Sequence, residues 1–320
     1  MPLGRGGPSR SRELPGFLSF VVPFDRGAHV SQTQSQLQSS PRSLTPLALG
    51  VCSWSLQVKS VPELKRLLGK LGVSVAQIAC GDPHHASWEE GDAMPEAALA
   101  SGLIMTGAML GFPGEDYTSP QTIKITGGFG DPAGRADRLK HLEWALERTV
   151  ALGLNDLMLH AGFLPEVNDP DRAAMLDTLA KAGQLAAERG ITLAFETGQE
   201  TADLLRRTLD DLKAPNLKVN FDPANMLLYD MGDPIRAVEI LGTDIRSVHV
   251  KDAKRPTKPG AWGEEVPLGQ GEVDIKRFVL TLKKVGYTGS LVVEREVGDQ
   301  AARIRDVASG LAFLRECLEG

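Results

Sequence analysis

From Leu47 onward, short apolar runs alternate with longer stretches whose apolar residues recur every three or four positions. The runs predict strands over 47–54, 73–80, 103–110, 156–160, 191–196, 217–222, 245–249 and 290–294. The periodic stretches predict helices over 61–71, 89–100, 135–152, 171–189, 202–212, 234–241, 274–285 and 301–318. In the helix at 135–152, Leu139, Leu142, Leu146 and Val150 share a face; in the last helix Ile304, Val307, Leu311 and Leu314 do. Pro62 suits the first turn of its helix, and Gly190 the end of another. Eight strand–helix units in about 275 residues match a (β/α)8 TIM barrel, an α/β fold, in number and length. An open doubly wound sheet is the competing architecture. It would show a glycine fingerprint after the first strand, where this chain has Cys52-Ser53-Trp54-Ser55-Leu56.

The apolar pattern breaks at the strand ends. Leu193-Ala194-Phe195 runs into Glu196, Val219-Asn220-Phe221 into Asp222, Ser247-Val248 into His249-Val250-Lys251-Asp252, and Leu291-Val292-Val293 into Glu294. Leu157-Met158-Leu159 ends in His160. Polar groups at the end of a buried strand cost stability unless they have partners. In a parallel barrel these ends surround the active site. Three carboxylates and one or two imidazoles brought together suit one divalent ion, Mn²⁺, Mg²⁺, Co²⁺ or Zn²⁺. A cation would relieve the repulsion among the acids. A lone acid at a strand end reads as a helix cap or ion-pair partner; the repetition over four strands favours the metal.

Residues 1–45 break the alternation. Five arginines against one glutamate and one aspartate give +3, so the remainder of the chain carries −6 − 3 = −9. Ser, Gln, Pro and Gly dominate there, a composition that supports no packed core. We therefore expect a disordered N-terminal extension over 1–45 and one barrel domain over 46–320. The apolar stretch 17–24 is bracketed by Pro15 and Pro23 and lacks a small-residue cleavage site, so it does not read as a signal peptide. No apolar run reaches bilayer-spanning length, which argues against a membrane partner. The net charge of −6 argues against nucleic acid. Cys52, Cys80 and Cys317 show no CxxC spacing, which suits buried thiols in a reducing, cytoplasmic setting.

Several short motifs fall in a characteristic order: Phe195-Glu196-Thr197, Phe221-Asp222-Pro223-Ala224-Asn225-Met226, Val248-His249-Val250-Lys251-Asp252, Leu268-Gly269-Gln270-Gly271 and Tyr287-Thr288-Gly289-Ser290-Leu291-Val292-Val293-Glu294. In these the stretch from about 47 to 320 resembles the xylose isomerase-like TIM barrel superfamily. The resemblance is to its sugar phosphate isomerase/epimerase branch of ketose 3-epimerases, hydroxypyruvate isomerase and inosose dehydratase. It implies that Glu196, Asp222, His249 and Glu294 are the metal ligands, and that Glu196 and Glu294 also move protons. Asn225 stands where relatives place a substrate-binding histidine. Arg255, six residues after His249, matches a substrate-contacting arginine. A substrate-facing glutamate beyond the first ligand has no counterpart at the same spacing; Glu200 is near. The resemblance implies a small-molecule sugar or polyol as substrate and leaves room for a homo-oligomer, since relatives often pair.

The chemistry also follows from the residues. A metal holding a carbonyl and the neighbouring hydroxyl acidifies the C–H between them. One carboxylate takes that proton to give an enediolate, and an acid returns one. Return to the same carbon is epimerisation, return to the neighbour isomerisation, and loss of a β-hydroxyl a dehydratase or lyase reaction on the same site. Glu196 and Glu294 are the candidate pair. An endonuclease IV-like DNA-repair enzyme is a distant third reading, needing more histidines at strand ends and basic surface. His84, His160 and Lys251 are further candidates for substrate contact. For His84 in Gly81-Asp82-Pro83-His84-His85 a solvated turn is equally compatible, and for His160 a hydrogen-bonded core position. Trp54, Trp88 and Trp262 could stack on a sugar or simply pack. Gly127-Gly128-Phe129-Gly130 lacks the lysine of a P-loop and reads as a flexible loop, long enough for a lid.

Overall fold

The computed structural model describes residues 45–81 and 88–319. The expectations for the N-terminal extension over 1–44 and for His84 and His85 lie outside the described residues. Strands β1 (Leu49–Cys52), β2 (Val75–Ala79), β3 (Ile104–Leu110), β4 (Asp156–Leu159), β5 (Thr192–Glu196), β6 (Leu217–Phe221) and β7 (Ile245–Val250) are parallel. After β7 come a short antiparallel hairpin, β8 (Asp252–Lys254) and β9 (Glu264–Val266), and then β10 (Leu291–Val293). β10 pairs with both β7 and β1, so eight strands close into a barrel with no free edge. All eight expected strands and eight expected helices are present, with ends shifted by up to five residues.

Two apolar layers hold this together. The larger lies between the barrel and its helices and contains Leu142 and Leu146, Leu157, Phe278 and Leu311. The smaller fills the barrel interior with Cys52, Trp54, Ala79, Met109, Met158, Ala194 and Val292. Both follow from side chains alternating across each strand: one set faces the helices, the other the barrel axis. All three cysteines are buried free thiols. No helix among the described residues is long and apolar enough to cross a membrane.

The periodicity does not reveal the short elements. A helix over Pro120–Thr126 starts at Ser119, whose hydroxyl accepts the Thr122 N–H. Another, over Pro223–Leu228, starts at Asp222. Each has under two turns of sequence, too little for a period to repeat. The loop expected to be a flexible lid is instead pinned. Phe129 is fully buried, its N–H donates to Ala161 O at 2.8 Å, and Gly128 N–H donates to Glu115 Oε1 at 2.7 Å. The glycines are there for close backbone contact. A Cβ on Gly128 would lie 2.1 Å from the Ala161 carbonyl carbon, and φ there is +52°.

Gly128→Ala should therefore lower stability by about 3 kcal/mol or more, since neither backbone can yield. Gly69→Ala, in the helix Val61–Leu71 with nothing within 4 Å of the added methyl, should raise it by about 0.5–1 kcal/mol. Urea denaturation midpoints of the two variants check the contrast.

Candidate metal centre

Contacts across the barrel show which positions face inward. β2 and β7 are separated in the closed sheet by β1 and β10. Yet Gln77 on β2 donates from Nε2 to Ser247 Oγ on β7 at 2.7 Å, and its Oε1 lies 2.6 Å from His249 Nε2. These contacts run through the interior. Ser247, His249 and Lys251 thus rise in steps toward the C-terminal mouth, and so do Val292, Glu294 and Glu296.

At the His249 level the strand ends converge. Glu196, Asp222, His249 and Glu294 are all buried, and each offers a ligand atom within 4.8 Å of the others. His249 Nδ1 is 3.0 Å from Glu196 Oε1 and 3.5 Å from Glu294 Oε1. Gln77 fixes the imidazole: with its amide nitrogen committed to Ser247, its oxygen takes the Nε2 proton. That leaves the Nδ1 lone pair toward the acids. Asp222 serves twice. Its Oδ1 accepts the Ala224 and Asn225 N–H groups and caps the helix, while Oδ2 points to the centre.

The charges do not balance without a cation. Lys251, itself buried, sets its ammonium 2.7 Å from Glu294 Oε2, 3.0 Å from Asp222 Oδ2 and 2.9 Å from Glu296 Oε2. The Asp222 contact is an ion pair without hydrogen-bond geometry. Three inner carboxylates and one ammonium sum to −3 + 1 = −2, the charge one divalent ion neutralises. Burial, with Glu294 and Glu196 nearby, pushes the Asp222 carboxyl well above its ordinary range against the pull of Lys251. Glu294 goes the other way: burial would raise it, but Lys251 and His249 hold it well below the carboxylate range. Glu196 Oε2 and Asp222 Oδ2 are buried with no hydrogen-bond partner. Unpartnered carboxylate oxygens beside an imidazole are what a hard or borderline divalent ion takes as ligands, so the residues fit such an ion. A second grouping, Cys52 with His249 and Glu294, is a poorer donor set, because burial pushes the Cys52 thiol up to about 12.

Residues 66–317 match the family model described as the xylose isomerase-like TIM barrel. The chain belongs to that family. An L-ribulose-5-phosphate 3-epimerase of Escherichia coli is 30% identical over 204 residues, covering 62% of this chain and 68% of that one. A xylose isomerase domain protein from Planctomyces limnophilus superposes with a TM-score of 0.75 at 32% identity, over 85% of this chain and 97% of that one. A probable 3-DHS dehydratase from Bacillus anthracis shares the fold alone, with a TM-score of 0.62 at 15% identity over 84% of this chain and 99% of that one.

This xylose isomerase-like barrel opens above the quartet into a cavity of about 340 Å³. His160 and Asn225 line it as expected from the sequence: His160 Nε2 is 3.7 Å from Glu196 Oε2, and Asn225 Nδ2 donates to Glu196 Oε1 at 3.1 Å. Lys251 sits under the cavity rather than in its wall, with its ammonium on carboxylates. Arg255 does not reach the cavity. The hairpin after β7 carries it outward, where it pairs with Asp230 at 3.0 Å and the Gly232 carbonyl. Glu200 is buried but does not line the cavity either, and burial pushes its carboxyl up to about 8. Asp252 faces away and accepts the Gly269, Gly271, Val273 and Ala253 N–H groups.

Sequence reasoning missed Gln77, Glu296 and the role of Trp54, whose Nε1 donates to Glu294 Oε1 at 2.6 Å. Gln77 carried a usable signal, as the one amide in the otherwise apolar run Val75-Ala76-Gln77-Ile78-Ala79. Gln77→Ala should weaken Mn²⁺ binding by about 10–100-fold, because His249 loses the partner that sets its tautomer. A titration with Mn²⁺ followed by electron paramagnetic resonance measures this.

Proposed function

We propose that this chain is a divalent-metal-dependent isomerase or epimerase of a sugar or related hydroxy-keto compound. One observation carries the reading: three buried carboxylates and an imidazole surround a two-charge deficit at the floor of a sugar-sized cavity. Membership of the sugar isomerase and epimerase branch's parent family, and the relative named as an L-ribulose-5-phosphate 3-epimerase, support it. Glu196, Asp222, His249 and Glu294 would hold the ion. When bound, it would polarise the substrate's carbonyl and adjacent hydroxyl oxygens and acidify the C–H between them.

The two glutamates approach the cavity from β5 and β10, with β6 and β7 between them. Glu196 is the candidate proton acceptor: one of its oxygens would hold the ion and the other would take the proton. Asn225 donates to Oε1 and so fixes the plane of the carboxylate. His160 stands beside Oε2, placed to orient a substrate hydroxyl or carbonyl. Glu294 takes hydrogen bonds on both oxygens, from Trp54 and Lys251, so its position is set and its charge stabilised. Tyr229, packed edge-on against Trp262 and Phe163, gives the cavity an aromatic wall that excludes water from the reacting carbon.

Metal analysis of the purified protein should find about one divalent ion per chain. In D₂O the loaded protein should exchange deuterium into a ketose at the carbon next to the carbonyl. Glu196→Gln should lower that exchange by about 10²–10⁴-fold. Net loss of water from the substrate, seen by mass, would assign the site to a lyase instead. A protein that takes up no divalent ion would end the proposal.

A further inference from the structure

We infer that the site selects an uncharged sugar or polyol and rejects phosphate esters, and that Glu296 is the specificity-determining residue. The inference deepens the proposed isomerase or epimerase function and rests on it. It departs from the phosphorylated substrate in the name of the E. coli relative.

Among the described residues, the wall of the cavity contains four carboxylates, Glu115, Glu196, Glu294 and Glu296, and no lysine or arginine. Every cation nearby is behind these acids or committed elsewhere. The Lys251 ammonium has three N–H groups and three carboxylate neighbours. Arg138 holds the Gly128 and Thr126 carbonyls and lies 3.6 Å from Glu115. Arg255 is tied to Asp230 and Gly232 away from the site. Lys124 is outside the wall, 5.8 Å from the Phe163 ring centroid. Taking the wall acids with Asp222, their ion-pair partners Lys251 and Arg138, and one divalent ion, the sum is −5 + 2 + 2 = −1. A phosphate would bring two more negative charges to a wall with no lysine or arginine among the described residues to pair with them. The donors and acceptors that remain suit hydroxyl groups: His160, Asn225, and the Trp262 indole, whose Nε1 is buried without a partner.

Glu296 occupies the decisive place. It lines this cavity and also an adjoining one of about 560 Å³, where Lys59 and Arg303 are found. Its carboxylate therefore separates the metal quartet from the basic groups a phosphate could use. Arg303 reinforces the separation by donating to the carbonyls of Trp54, Gly298 and Glu296.

The test uses the full chain loaded with Mn²⁺ in D₂O. Free D-ribulose, D-fructose, D-tagatose and D-allulose are compared with ribulose 5-phosphate and fructose 6-phosphate. We expect kcat/KM for exchange into the best free ketose to exceed that for either ester by at least about a hundredfold, from like-charge repulsion at a few ångströms. In Glu296→Gln this ratio should narrow by at least about tenfold, a change that general damage to the site would not produce. Esters exchanged as well as free sugars, or a ratio that Glu296→Gln leaves unmoved, would overturn the inference while leaving the isomerase reading intact. Exchange into no sugar of either series would instead count against that reading. Calorimetric titration with sorbitol and sorbitol 6-phosphate then decides the inference: tighter binding of sorbitol sustains it, and equal binding, tighter ester binding or no binding overturns it.

Discussion

Everything at the mouth of this barrel depends on keeping Glu196, Asp222 and Glu294 together in a place water scarcely reaches. Burying one carboxylate is costly, and burying three within a few ångströms is tolerable only with compensating charge. The protein supplies part of it. Lys251 sets its ammonium against two of the acids, Asp222 and Glu294. The remaining two charges are left to an ion. On the proposed reading the shortfall is what gives the cluster affinity for a metal, because a fully neutralised cluster would have none. A larger shortfall would push more carboxyls toward the neutral form, as already happens to Asp222.

Strand parity makes the arrangement reproducible. Because side chains two apart point the same way, Ser247, His249 and Lys251 become a column, and Glu294 and Glu296 part of another. Each level has a different task. Gln77 and Ser247 orient the imidazole from below, the quartet presents ligand atoms, and Lys251 pairs with Glu294 and Glu296. A strand shifted by one residue would turn a whole column out toward the helices. The apolar residues in between, Val248 and Val250 in β7 and Leu291 and Val293 in β10, prevent this by packing into the outer core. The pattern that specifies the barrel therefore also specifies the site.

This explains what the sequence made legible. The strands, the helices and the four acid or imidazole tips could be found because each lies on a repeating pattern that ends abruptly. Arg255 could not be placed by counting from His249, because the hairpin between them changes the direction of the chain. Gly127-Gly128-Phe129-Gly130 read as loose because glycine is permissive. Here glycine instead permits two backbones to touch, a tertiary fact with no local trace. Asp222 shows a further limit. Helix cap and candidate ligand looked like alternatives, yet one carboxylate oxygen does each. Trp54 and Gln77 act on Glu294 and His249 across sequence separations of 240 and 172 residues, beyond the reach of any local signal.

On the proposed reading, a single charge distribution governs both metal and substrate. The Lys251 ammonium is taken up by Asp222, Glu294 and Glu296 and does not line the cavity, so the surface facing it is negative while the cluster beneath is partly compensated. Such a concave negative site draws in a divalent cation and repels an anion approaching by the same route. Relocating Lys251 toward the cavity would help a phosphate bind, but it would strip Asp222 and Glu294 of their partner and put like charge beside the ion. Arginine in its place would need a planar fork of partners, whereas the three acids surround a point, which a lysine ammonium matches. On that reading metal retention and tolerance of uncharged substrates are linked through one lysine: the residue that makes the buried acids affordable is also unavailable to anything that enters the cavity.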